Sequence, residues 1–128
     1  MSTTNNAVMF VVGGNLQGSF TAELVGGPAA TQNTATRLNS PLTHVLKSVS
    51  TGSFQLPSIL NGEANELMWV VNDTAVTVNV YPAVGEKTNG SLNTAFAVTT
   101  GVSAVFVPVL NSTGNYPSTL DWRCTLIP

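Results

Sequence analysis

The sequence predicts an all-β fold: an antiparallel β-sandwich, or a jelly-roll or barrel-like single domain, with a short extended N-terminal arm. Three observations predict it. Val and Thr dominate the chain, and both are β-branched residues favoured in strands. Gly, Asn and Pro recur at the short spacing of turns between short strands. The 3.6-residue apolar period of amphipathic helices is almost missing. A chain of 128 residues is one domain by length. A domain of that size buries about two-thirds of its unfolded surface.

Residues 1–6, "MSTTNN", carry no core-forming pattern and are expected to form a polar arm; residues 7–128 are expected to form the domain. "AVMFVV" (7–12) is apolar on both faces and breaks at Gly13-Gly14-Asn15. "SFTAEL" (19–24) alternates, with Phe20, Ala22 and Leu24 on one face, and ends at Gly26-Gly27-Pro28. Residues 29–41 are small and polar, a long connection or an extended edge segment. "LTHVLKSVS" (42–50) reads as a strand, closed by a Thr51-Gly52 turn. "SFQLPSI" follows, and Pro57, which cannot donate a ladder bond, puts it at an edge or a strand end.

"NGEANE" (61–66) is a turn, and "LMWVVN" (67–72) is apolar on both faces, as in a central strand. "DTA" (73–75) turns the chain into "VTVNVY" (76–81), so that 68–90 reads as one hairpin. Val76, Val78 and Val80 point inward and Thr77, Asn79 and Tyr81 outward. Pro82 and Gly85 stop that strand. The loop at 83–93 carries Glu86, Lys87 and the Asn89-Gly90 turn signal. "AFAVT" (95–99), a Thr100-Gly101 turn and "VSAVFVPVL" (102–110) come next. The last strand, 119–127, places Leu120, Trp122, Cys124 and Leu126 on its inner face and Asp121, Arg123 and Thr125 on its outer face.

Only 8% of the residues are charged, against roughly 25% in ordinary soluble domains. Low charge with 43% hydrophobic residues excludes a disordered chain. The surface that remains is Thr, Asn and Ser, with little repulsion to keep copies apart. A net charge of −2, with Arg37, Lys47, Lys87 and Arg123 scattered, argues against nucleic acid as a partner. No run approaches the ~20 apolar residues of a membrane helix. The N-terminus lacks the basic region and apolar length of a signal peptide, so synthesis in the cytoplasm is expected.

The chain is chemically quiet. A nucleophile needs a base within hydrogen-bond reach, and His44, the one histidine, lies in a strand; it reads as an ordinary strand or interface residue. Cys124 reads as a small core residue. Glu63 and Glu66 lie in one turn, whereas the carboxylates of a glycosidase must flank one bond. One His and one Cys do not make a zinc site. No catalytic residue, metal or cofactor is therefore expected. Asn72, Asn89 and Asn111 begin N-x-S/T sequons, which chance explains in so Thr- and Asn-rich a chain.

Residues from about 29 to 124 resemble a β-rich module of structural proteins in tailed bacteriophages and prophages. The segments that carry the resemblance are "TATRLNSPLTHVLKSVSTGSFQLPS", "NELMWVVNDTAVTVNVYPAVGEKTNG", "AFAVTTGVSAVFVPV" and the Trp122 strand. The resemblance implies a virion structural protein, above all a capsid decoration (cement) protein that binds the major capsid protein or other virion proteins. It implies a homotrimer and no catalytic residues. The module is often part of longer tail or fibre chains, whereas here it is nearly the whole sequence. The residues expected at the interface are Thr3, Asn5, Asn33, Arg37, Thr77, Asn79, Tyr81, Lys87 and Tyr116. A second reading is a tail or head fibre or spike component that binds a carbohydrate or receptor through Tyr81, Tyr116 and the 83–93 loop.

Overall fold

The computed structural model describes residues 10–12, 15–17, 20–22, 26–27, 31–46, 52–59, 66–111 and 119–128. The expected arm at 1–6 lies outside them, as do the turn at 61–65 and the loop at 112–118.

The strands are β1 (Phe10–Val12), β2 (Asn15–Gln17), β3 (Phe20–Ala22), β4 (Thr36–Arg37), β5 (Leu42–Val45), β6 (Ser53–Gln55) and β7 (Met68–Asn72). They continue with β8 (Val78–Tyr81), β9 (Lys87–Thr88), β10 (Ser91–Leu92), β11 (Phe96–Val98), β12 (Val102–Asn111) and β13 (Thr119–Ile127). One short 3₁₀ turn covers Gln32–Thr34. The all-β expectation holds, and the strand boundaries at 102–111 and 119–127 lie within one residue of those read from the pattern.

Two larger sheets form. The seven-stranded one has the order β10-β9-β13-β12-β7-β5-β3, the four-stranded one β11-β8-β6-β4, and β1 pairs with β2 separately. Neither closes into a barrel. Both are mixed, which corrects the antiparallel expectation. β3, β5 and β7 run parallel in one sheet, and β4, β6 and β8 run parallel in the other. From β3 to β8 the chain alternates between the two sheets, so each parallel step is bridged by a strand of the opposite sheet. Parallel neighbours need a long crossover, and here a strand supplies it where a helix more often would.

The same winding corrects the hairpin expected at 68–90. β7 and β8 belong to different sheets, and residues 73–77 carry the chain from one to the other. Asn72 builds this corner. Its side chain is fully buried and makes four hydrogen bonds. The amide nitrogen donates to the carbonyl oxygens of Val76 and Val98 at 2.9 and 2.8 Å. The amide oxygen accepts from the Thr74 N–H and hydroxyl at 3.0 and 2.7 Å. A true hairpin follows later. Asn89 (φ 47°) and Gly90 (φ 85°) form the two-residue turn between β9 and β10, where positive φ at both positions matches the strand twist.

One apolar cluster draws on both sheets. Val45, Met68, Val70, Ala104, Phe106 and Trp122 come from the seven-stranded sheet, and Phe54, Val78, Val80 and Val98 from the four-stranded one. Phe96 meets Phe106 edge-to-face, with ring centroids 5.8 Å apart, a favoured aromatic geometry. Each large side chain fully buried here contributes about 1.5–3 kcal/mol. Backbones also approach closely at Gly27, whose N–H donates to Ser53 at 2.8 Å. A Cβ there would overlap the Thr34 carbonyl oxygen, so the Gly26-Gly27 pair read as a strand stop also lets this edge close.

Candidate interaction surface

Strand alternation gives each sheet an inner and an outer face. On the seven-stranded sheet, β7 buries Met68, Val70 and Asn72 and leaves Trp69 and Val71 outside. β12 buries Ala104 and Phe106 and leaves Ser103, Val105, Val107 and Val109 outside. Register aligns these residues across strands. Leu42, Trp69, Val105 and Thr125 form one row, and His44, Val71, Ser103 and Ile127 the next. Leu67 adjoins the rows at 42% exposure; Trp69, Val107 and Ile127 are exposed by 37–38%. The outer face is thus a band of Leu, Trp, Val and Ile across four neighbouring strands.

Charges on this face are few and mostly paired. His44 Nε2 meets Asp73 Oδ2 at 2.5 Å, where β5 abuts the corner after β7. Arg123 donates through Nε to Asp121 at 3.1 Å. Asp121 was expected outward with Arg123, yet it is buried. The β9–β10 hairpin covers it, and the Gly90 N–H donates to its Oδ1 at 3.1 Å.

The outer face of the four-stranded sheet is polar. Arg37, Gln55 and Tyr81 stand in one row; in the next, Asn79 and Ala97 stand beside Ser53, which is buried where Gly27 pairs with it. The structure therefore brings Arg37, Asn79 and Tyr81 to one face, with exposed Thr77 just before β8. Lys87 is separated from them, half-buried on β9 in the other sheet and aligned with Asp121. Asn33 lies exposed in the 3₁₀ turn. Thr3, Asn5 and Tyr116 lie outside the described residues.

The 83–93 loop differs from a free, charged loop. Glu86 is buried, and its carboxylate accepts from the Ser58 hydroxyl at 2.7 Å and the Ile59 N–H at 3.1 Å. The Asn93 side chain accepts from the Gly85 N–H at 2.7 Å, and Gln32 donates to the Pro82 carbonyl at 2.8 Å. The loop is bolted to the body. Of the sequons, Asn72 is buried with its amide in use, a closed position for any modification of the folded chain.

Cys124, expected as a small core residue, is half-buried on β13 and packs against the margin of the core. Burial, and secondly the charge of Asp121, pushes its thiol up from 9.0 to about 12. It stays a thiol and donates to the Trp122 carbonyl at 3.3 Å. Among the described residues, no three His, Cys, Asp or Glu side chains gather as metal ligands.

The band around Trp69 was missed as a site for a definite reason. A run apolar on both faces reads as a central strand, and β7 is one, between β12 and β5; a central place in a sheet does not say what covers each face. The signal was there: two-faced apolar runs in both "LMWVVN" and "VSAVFVPVL", in a domain too small to cover both faces of a wide sheet.

No family model, curated protein or solved structure matches this chain.

Proposed function

We propose that this chain is a virion structural protein, a capsid decoration (cement) protein that binds an assembled shell and staples adjacent subunits without catalysis. The observation that carries the adhesive part is the outer face of the seven-stranded sheet. Trp69, Val105, Val107 and Ile127 stand there together with few charges. Contiguous exposed apolar surface marks a site of association. The resemblance of residues 29–124 supplies the virion setting, the major capsid protein as partner and the trimer as oligomeric state. In this reading the two mixed sheets are the layers of a β-sandwich that acts as a rigid body. Many copies, each held weakly, act through avidity.

Protein quantification of purified particles tests the proposal. Copy numbers comparable to the major capsid protein support decoration. A handful per particle would place the chain at the tail or portal, and absence from particles would refute a virion role.

One observation favours the alternative of a fibre or spike component. Tyr81 is half-exposed in register with Gln55 and Arg37, and an aromatic beside polar side chains suits a sugar ring. Glycan-array binding lost on Tyr81→Ala would favour it over the shell-binding reading.

A further inference from the structure

We infer that Asn89 is a site of spontaneous deamidation that the fold holds shut and that local opening of the β9–β10 hairpin exposes. Asn-Gly is chemically labile because glycine has no Cβ to hinder attack by its own nitrogen. The Gly90 nitrogen bonds to the side-chain carbonyl carbon of Asn89, its proton passes to the departing amide nitrogen, and ammonia leaves. One water then opens the cyclic imide and leaves aspartate or isoaspartate. Water is the only co-reactant.

Every group in that reaction is engaged in the folded chain. The Asn89 amide nitrogen donates to the Cys124 carbonyl at 3.0 Å, and its oxygen accepts from the Cys124 N–H at 2.8 Å. The side chain thus pairs with β13 as a strand backbone would, and its carbonyl carbon is held on β13. The attacking Gly90 N–H is committed to Asp121. The Asn89 N–H donates to the Trp122 carbonyl at 2.8 Å.

Reaction requires the hairpin to lift from β13. Only Lys87 and Thr88 pair with β13 by ladder, so this opening is local and demands no global unfolding. It is also one-way. A carboxylate at position 89 can only accept, so it would face the Cys124 carbonyl without a donor and add negative charge beside buried Asp121. The modified hairpin would not re-seat.

The test incubates the full chain, folded and in urea, and follows each Asn-Gly peptide by mass spectrometry for exchange of the amide for a hydroxyl. Asn61-Gly62 provides the reference in urea. The expected result is comparable reaction of both sites in urea, and reaction at Asn89 slower by about tenfold or more in the folded chain. Folded Asp121→Ala should then react faster at Asn89. Should that variant fail to fold, hydrogen exchange at the Cys124 amide of the unaltered protein replaces it, and the two rates should rise together with temperature. Equal rates at Asn89 in folded and urea-treated chains would overturn the inference. So would a folded rate indifferent to Asp121→Ala or to exchange at Cys124.

Discussion

The side-chain amide of Asn72 donates to the carbonyl oxygen of Val98 at 2.8 Å and so ties the seven-stranded sheet to the four-stranded one. With its bonds to Val76 and Thr74, this one residue turns the chain between sheets and locks the turn to β11. Its burial and its bonds are inseparable, since a buried amide without partners is strongly unfavourable.

Asn72→Ala should therefore destabilise the fold by about 2–4 kcal/mol, because it strands the Val98 carbonyl and the Thr74 N–H, while the Val76 carbonyl keeps the Thr74 hydroxyl as donor. Urea unfolding measures it. A loss below about 0.5 kcal/mol would mean that the corner is held by its apolar neighbours alone.

Thr43 presents the opposite case. It is fully buried on the inner face of β5, and its hydroxyl has no hydrogen-bond partner. Thr43→Val keeps the shape and removes the unsatisfied group, and should stabilise by about 1 kcal/mol. Destabilisation on thermal melting would show that the hydroxyl is engaged in solution.

How much of this was legible in the sequence differs by element. β12 is readable because a long run of Val and Phe favours a strand, β13 because its alternation fixes strand and face together, and Asn89-Gly90 because that turn demands positive φ. The parallel winding was not readable. A period of two says which residues share a face and nothing of strand direction, so "NDTA" reads equally as a hairpin turn or a corner. Asp121 was misplaced because alternation assigns a face, while burial depends on what covers it. The burial of Glu86 is not legible in the sequence for the same reason: its partners, Ser58 and Ile59, are distant along the chain. Of the residues expected at an interface, Arg37, Asn79 and Tyr81 share a face, while the band around Trp69 lies in runs that read only as strands, with no sign of which face stays open.

Cys124 should resist alkylation at about pH 8, where its raised value leaves almost no thiolate. The thiol binds its proton more tightly in the folded chain than in the unfolded one. Its contribution to stability is thus full below 9.0 and is lost as pH rises from there through about 12. Burial is the main cause and Asp121 the second, so Asp121→Asn should speed labelling modestly and unfolding should speed it far more. Labelling of the folded chain as fast as in urea would contradict this.

The central claim is that the protein acts by adhesion through the outer face of its seven-stranded sheet. Co-sedimentation with purified shells lacking this chain tests it most directly, with Val107→Asp and Leu67→Asp beside the unaltered protein, each variant checked for an unchanged melting profile. The account predicts that the unaltered protein binds equally from low salt to about 1 M, since apolar contact is not screened, and that each variant binds at least about tenfold more weakly. Variants that bind as well as the unaltered protein, or binding that falls steeply with salt, would contradict it.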